Sequence, residues 1–250
     1  MNSFIKWVGG KYRLRNRILQ EFPQEQTCYV EMFGGAAWVL FARRKHIGTE
    51  VYNDVNHDLV NLLRCVKYHA GELQKELKWC LISREHFLEA KERVHDPNLT
   101  DIQRAARFFV LIRCSFGAKM ETFNGKRVAL GSIVRDLELF SKRLESTVIE
   151  HMDFEKLAEL YDGRDTLFYA DPPYYAAEGY YAGRFCAADH LRLKETLSRI
   201  EGKFILTYND CPFIRELYEE YPFISIKRQN NMTSCTTRRN YKEVIIKNFK

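Results

Sequence analysis

The stretch Thr166-Leu-Phe-Tyr-Ala-Asp-Pro-Pro-Tyr-Tyr175 constrains this chain more than any other. Residues 167–170 are an apolar and aromatic run of the length of one buried strand. Pro172 and Pro173 then end it, because neither can donate to a ladder and each pushes the residue before it into extended geometry. Asp171 is therefore expected at the carboxyl end of a strand, where open α/β sheets bind ligands. Tyr174 follows on a backbone stiffened by the prolines. A carboxylate, the Pro172 carbonyl and an aromatic face suit a flat heterocycle bearing an amino group: the two oxygens each accept one N–H, and the ring stacks. The plainer alternative is a turn in which Asp171 caps a helix and Tyr174 packs.

Glycine turns elsewhere supply a possible second half of such a site. Gly9-Gly10-Lys11 lies beside Trp7 and precedes an arginine-rich helix expected over 12–20. It lacks the spacing of a phosphate loop, but Trp7 offers a ring for an adenine or a sulfonium. Residues 28–32 read as a first core strand, Phe33-Gly34-Gly35 as a tight turn, and 36–45 as a helix. The dinucleotide fingerprint is not met, which disfavours a nicotinamide cofactor. A second strand, 49–54, ends at Asp54, 20 residues beyond Gly34. An acid at about that distance binds ribose hydroxyls in nucleoside-binding folds. A helix cap is the alternative for Asp54.

Residues 56–146 change character. Helical periodicity is expected over 56–68, 73–94, 102–113 and 133–144, with Thr100 and Gln103 as a capping box. Within this part, 112–127 is basic and aromatic, and Asn124-Gly125 signals a hairpin turn. Arg113, Lys119, Asn124, Lys126 and Arg127 there suit phosphate contact and groove insertion, and the plainer alternative is a solvated loop with incidental charge. The α/β pattern then resumes: a strand over 147–150, Asp153-Phe154 at its end, a helix to 161, the Asp-Pro-Pro-Tyr strand, and a glycine- and tyrosine-bearing loop at 178–184. A helix over 191–200, a strand over 203–208, a helix over 212–218 and strands over 223–226 and 241–246 complete the chain. Arg238 and Arg239 lie in the polar stretch before the last strand, which reads equally as a further phosphate contact or as an ordinary solvated loop.

These motifs, Lys6-Trp-Val-Gly-Gly-Lys11, Glu31-Met-Phe-Gly-Gly35, Asn53-Asp54 and Asp171-Pro-Pro-Tyr174, occur in an order that resembles the DNA adenine methylases of the Dam-like alpha group. The resemblance covers essentially the whole chain. It implies a Rossmann-like class I sheet of the S-adenosylmethionine-dependent methyltransferases, with an inserted helical target-recognition domain. Residues 1–55 and 147–250 would form the catalytic domain and 56–146 the DNA-reading insert. It further implies catalytic roles for Asp171, Pro172 and Tyr174. The S-adenosylmethionine pocket would use Trp7, Gly9, Gly10, Lys11, Glu31, Phe33, Gly34, Gly35, Asp54, Asp153, Phe154 and Asp171. Double-stranded DNA is the implied partner, a cognate restriction endonuclease a possible second one, and a monomer the implied state. No metal is implied. The stretch 231–239 departs from the pattern by lacking a glycine before its basic residues, and the insert does not align base-contacting residues. On this reading Asp171→Ala abolishes methyl transfer with the fold largely intact.

Composition agrees with that picture without selecting it. A net charge of +6 and a pI of about 8.9 suit a polyanionic partner. Seven cysteines without a Cys-x-x-Cys pair read as reduced thiols rather than disulfides or a zinc site. No signal peptide pattern and no apolar run of membrane-spanning length are present, so a cytoplasmic location is expected. The rival substrates are another amino group, on cytosine, an RNA base or a protein glutamine. A non-catalytic DNA-binding module with the same fold is the rival of a different class.

Overall fold

The computed structural model describes residues 1–44, 48–125, 130–177, 185–229 and 240–250. Its centre is a seven-stranded sheet of β1 (Cys28–Glu31), β2 (Thr49–Asn53), β3 (Thr147–Glu150), β4 (Thr166–Ala170), β5 (Lys203–Asn209), β6 (Phe223–Gln229) and β7 (Asn240–Lys247), in the order β3-β2-β1-β4-β5-β7-β6. β1 to β5 run parallel, and β7 lies antiparallel between β5 and β6. This is the Rossmann-like methyltransferase sheet expected from the sequence. Strand order reverses between β1 and β4, and ligands bind at such a switch point, beyond the carboxyl ends. The register brings those ends level, since Glu31 pairs with both Tyr52 and Tyr169.

Period-two alternation divides the core into two layers. Tyr29, Tyr52, Tyr169, Ile205 and Ile245 face one side, and Val30, Val51, Phe168, Phe204 and Val244 face the other. Both faces are buried, which is why these strands read as continuous apolar runs. The second face is covered by α9 (Phe154–Tyr161), α10 (Ala187–Arg199) and α11 (Pro212–Leu217), through Leu157, Leu193 and Ile214 among others. The first is covered by α2 (Trp38–Ala42), α3 (His57–Tyr68), α6 (Asp101–Arg113) and α8 (Leu137–Leu144). Leu62, Phe109 and Leu137 belong to the same cluster as Tyr29 and Tyr169. The helical stretch between β2 and β3 therefore shares a core with the sheet.

Several boundaries differ from the sequence reading. The helix expected over 73–94 is two: α4 (Ala70–Lys78) and α5 (Arg84–Arg93), the latter capped by Ser83, whose Oγ accepts from His86 N at 3.0 Å. The helix expected over 133–144 is α7 (Leu130–Arg135) followed by α8, with Asp136 between them. The first break falls in the uncharged run Trp79-Cys-Leu-Ile-Ser83, where Ser83 is the cap, and the second falls at the charged pair Arg135-Asp136. The capping box of Thr100 and Gln103 does open α6. α1 (Arg15–Gln20) starts later than expected, after a turn in which Leu14 N and Arg15 N donate to Lys11 O. α2 is shorter than the expected 36–45. Ala37 holds a left-handed conformation (φ 54°), so the turn runs on past the glycines before the helix begins. No helix among the described residues is long and apolar enough to cross a membrane.

Candidate active site

Three turns and one strand end enclose a cavity of about 240 Å³. The first turn is Trp7 to Lys11. Gly10 N donates to Trp7 O at 3.1 Å, and a Cβ on Gly10 would stand 2.7 Å from Trp38 Nε1. The turn delivers Lys11 inward, with only 4% of its side chain exposed. The second turn follows β1. A Cβ on Gly34 would lie 2.1 Å from the Tyr52 ring, so only glycine fits. The third follows β2 and is tied to the second: Asp54 Oδ2 accepts from Gly35 N at 2.8 Å and Oδ1 from Asn56 N at 2.8 Å. Tyr52 adds a bond from its hydroxyl to Gly35 O at 2.8 Å. The helix-capping alternative for Asp54 does not hold, because Asn56 is the residue that caps α3.

Asp171 closes the cavity from the end of β4. Its Oδ1 takes both local donors, Lys11 Nζ at 2.6 Å and Thr207 Oγ1 at 2.8 Å. Oδ2 has no hydrogen-bond partner among the described residues, and the side chain lines the cavity. Lys11 also donates to Gly9 O at 3.0 Å and stands 4.7 Å from the Tyr174 ring centroid. Tyr174 in turn donates to Glu243 Oε2 at 3.0 Å.

Burial governs the acids here. It pushes Asp171 above the usual aspartate range, against the opposing pull of the Lys11 charge. It raises Asp54 against the opposing backbone N–H groups of Asn56, Gly35 and Val55. Glu31 is pushed up to about 8 by burial, although Tyr29 Oη and Leu40 N each donate to its Oε2 at 3.0 Å.

Every residue expected from sequence in the cofactor pocket lines this one cavity: Trp7, Gly9, Gly10, Lys11, Glu31, Phe33, Gly34, Gly35, Asp54, Asp153, Phe154 and Asp171. Pro172 is buried beside it, and Tyr174 is half-buried behind Lys11. Asp153 caps α9, with Oδ1 accepting from Glu155 N at 2.9 Å, and Phe154 packs 5.6 Å from Phe33. The DNA-contact candidates are dispersed. Arg113 is half-buried in the last turn of α6, and burial lowers its pKa. Lys119 is exposed just past a 3-10 turn, Phe116–Ala118. The hairpin expected at Asn124-Gly125 turns earlier: Ser115 bridges Phe123, Phe116 N donates to Thr122 O, and Asn124 N donates to Cys114 O. Asn124 thus lies on an arm rather than at the bend, where Phe116 is exposed instead. Lys126, Arg127, Arg238, Arg239 and the loop 178–184 lie outside the described residues.

Sequence reasoning missed Thr207, Glu243, Trp38, Phe185 and Arg192. Thr207 left a signal, being a polar residue inside the apolar strand β5, whereas Glu243 follows Lys242 and reads as part of a charged strand end. Phe185 and Arg192 left none, because their partners come from distant elements.

Residues 7–232 match the family model for the D12 class N6 adenine-specific DNA methyltransferase. The chain belongs to this family. The methyltransferase is 26% identical to the DNA adenine methylase of Haemophilus influenzae, over 94% of this chain and 89% of that protein. It is 25% identical to the type II methyltransferase M.CviBI of Paramecium bursaria Chlorella virus NC1A, over 88% of each. It is 23% identical to the DNA adenine methylase of Escherichia coli K12, over 93% of this chain and 89% of that one. Methylation of the exocyclic amino group of adenine in DNA is the activity of the family, and this enzyme is an adenine-specific DNA methyltransferase.

Proposed function

We propose that the cavity binds S-adenosylmethionine and that the target adenine of double-stranded DNA enters it swung out of the helix. The observation that carries this reading is the asymmetry of Asp171. One of its oxygens is held by Lys11 and Thr207, and the other is unclaimed in a cavity walled by the glycine turns.

The residues present fit the cofactor. Gly34 and Gly35 leave room for a ligand against the backbone, since the Tyr52 ring already fills the space behind Gly34. Each Asp54 oxygen uses one lone pair on a backbone N–H and keeps another for a ribose hydroxyl. Phe33 and Phe154 form an aromatic wall for an adenine ring. Bound there, S-adenosylmethionine supplies an electrophilic methyl group on a sulfonium.

The chain's own task is orientation. An adenine amino nitrogen is a poor nucleophile because its lone pair is delocalised into the ring. Asp171 Oδ2 and the Pro172 carbonyl, which accepts no hydrogen bond from the described residues, each accept a hydrogen bond from one amino N–H and draw the nitrogen toward tetrahedral geometry. Lys11 stabilises the charged form of Asp171, which burial opposes. Glu243 fixes the Tyr174 ring, which is placed to stack on the extruded base. Holding the reactants in a dry pocket accounts for the greater part of such catalysis.

The helical residues 56–146 act as the DNA-reading part, with exposed Phe116 and Lys119 at the bend of the 115–123 hairpin as groove and phosphate contacts. The protein works as a cytoplasmic monomer, and a cognate endonuclease is its candidate partner. The deciding experiment incubates the protein with labelled S-adenosylmethionine and either duplex DNA or RNA, and maps modified positions in the DNA by single-molecule sequencing. Modified adenines at one recurring sequence are expected. Label in cytosine, in RNA alone, or nowhere overturns the reading.

A further inference from the structure

One guanidinium ties together the far wall of the cavity. Arg192, on α10, reaches both oxygens of Asp153, with Nη1 3.0 Å from Oδ1 and Nη2 2.8 Å from Oδ2. The same group reaches Glu155 Oε2 at 3.4 Å and Asp189 Oδ1 at 2.9 Å. Its Cζ lies 4.4 Å from the centroid of the Phe154 ring, and its buried Nε finds no partner among the described residues, as expected over a ring face. Asp189 meanwhile accepts from Cys186 N at 2.8 Å, next to Phe185, whose ring meets Phe33 at 5.9 Å. Asp153, Phe154, Phe185, Asp189 and Arg192 all line the cavity.

We infer that Arg192 is a positioning residue for the methyl donor: it holds Asp153 and Phe154 in place and so sets cofactor affinity, without a part in the transfer step. Asp153 and Phe154 open α9, whereas Asp189 and Phe185 belong to the start of α10. Among the described residues the link between these two segments at the cavity is this ion network and the contacts of the phenylalanine rings. A bidentate guanidinium fixes a carboxylate in both position and plane, which an ammonium cannot do. With Asp153 so held, a donor on the cofactor's adenine meets an oriented acceptor and a ring that is already placed. Arg192 and the amino-group acceptors come from opposite sides of the sheet's switch point: the acceptors follow β4, and Arg192 holds the residues that follow β3.

The inference rests on the reading of the cavity as the cofactor site, and its test separates the two. Binding of S-adenosylhomocysteine, which carries no methyl to transfer, is measured by calorimetry for the wild type, Arg192→Met, Arg192→Lys and, as a control, Lys194→Met. Lys194 pairs with Glu220 away from the cavity. Arg192→Met should raise Kd about tenfold, with the KM for S-adenosylmethionine rising alike and kcat changing less than about twofold, the pattern of lost binding rather than lost transition-state contact. Arg192→Lys should fall between Arg192→Met and the wild type, and Lys194→Met should match the wild type. Should Arg192→Met fail to fold, the Arg192→Lys comparison carries the test. Wild-type affinity in the Arg192 variants, or a fall in kcat at unchanged Kd, overturns the inference alone. A wild type that does not bind the probe overturns the reading of the cavity and the inference with it.

Discussion

Replacing Asp171 with alanine strands a buried ammonium. Lys11 Nζ sits 2.6 Å from Asp171 Oδ1 with 4% of its side chain exposed, and its other contacts are the Gly9 carbonyl at 3.0 Å and the face of Tyr174. Breaking a buried ion pair from one side costs about 3–5 kcal/mol, because the remaining charge is left in a poor solvent. The carbonyl and the ring compensate in part, which places this case near ~3 kcal/mol. For a chain of this size that is a fall in Tm of roughly 6–12 °C. Asp171→Ala is therefore expected to fold at 25 °C yet melt well below the wild type, in contrast to the intact fold that the motif alone suggested. Adding Lys11→Met removes the stranded charge, so the double variant should recover most of the loss. Urea titrations followed by circular dichroism, run on both single variants and the double variant, close the cycle. A coupling energy of ~2–3 kcal/mol is expected, far above the ~0.5 kcal/mol scatter of independent sites. Additive losses would show that Lys11 and Asp171 do not depend on each other, and the account of the site would lose its electrostatic centre. Transfer assays on Asp171→Ala belong below its melting range, where a loss of at least about a hundredfold in kcat is expected from the missing acceptor.

Three further outcomes follow from the same geometry. Glu31 has a folded-state pKa of about 8 against an ordinary 4.5, so the folded state holds a proton that the unfolded chain gives up. Stability should then fall as pH rises from about 4.5 through 8, by at most ~5 kcal/mol, and Glu31→Gln should flatten that slope in melting curves at pH 6 and pH 9; parallel curves would remove Glu31 as the cause. Asp171, raised by burial, should give kcat/KM an acid limb above the ordinary aspartate range, and Lys11→Met should move that limb higher, since Lys11 pulls the pKa down; a limb that stays put contradicts the pairing. Gly34→Ala drives a methyl into the Tyr52 ring, where 2.1 Å is available, and should cost ~1–3 kcal/mol in urea titrations and weaken S-adenosylhomocysteine binding in calorimetry; normal values for both would mean that the turn has slack.

Much of the catalytic half was legible because its signals are local. Prolines end a strand wherever they stand, so Asp171 had to lie at the tip of β4. Glycines in a strand-to-helix turn mark close backbone approach, and the tyrosine filling the space behind Gly34 shows the cause. The helices of residues 56–146 were legible as helices but not in their breaks. Residues 79–83, Trp-Cys-Leu-Ile-Ser, hold neither glycine nor proline, and Asp136 is a single polar residue, so neither break is punctuated strongly; Ser83 as a cap was the one local sign. Asn124-Gly125 misled, since a dipeptide preference yields to the pairing of Ser115 with Phe123.

By itself, the order of residues determined which groups exist and which stand at strand ends: an acid before two prolines, glycines after β1, an acid after β2. Only the tertiary structure decided which of them share a charge. Lys11 reaches Asp171 from a turn 160 residues away in the chain, and Arg192 gathers Asp153, Glu155 and Asp189 across two helices. Ion pairs of that kind depend on distance and burial, and neither quantity exists until the sheet has brought its strand ends level.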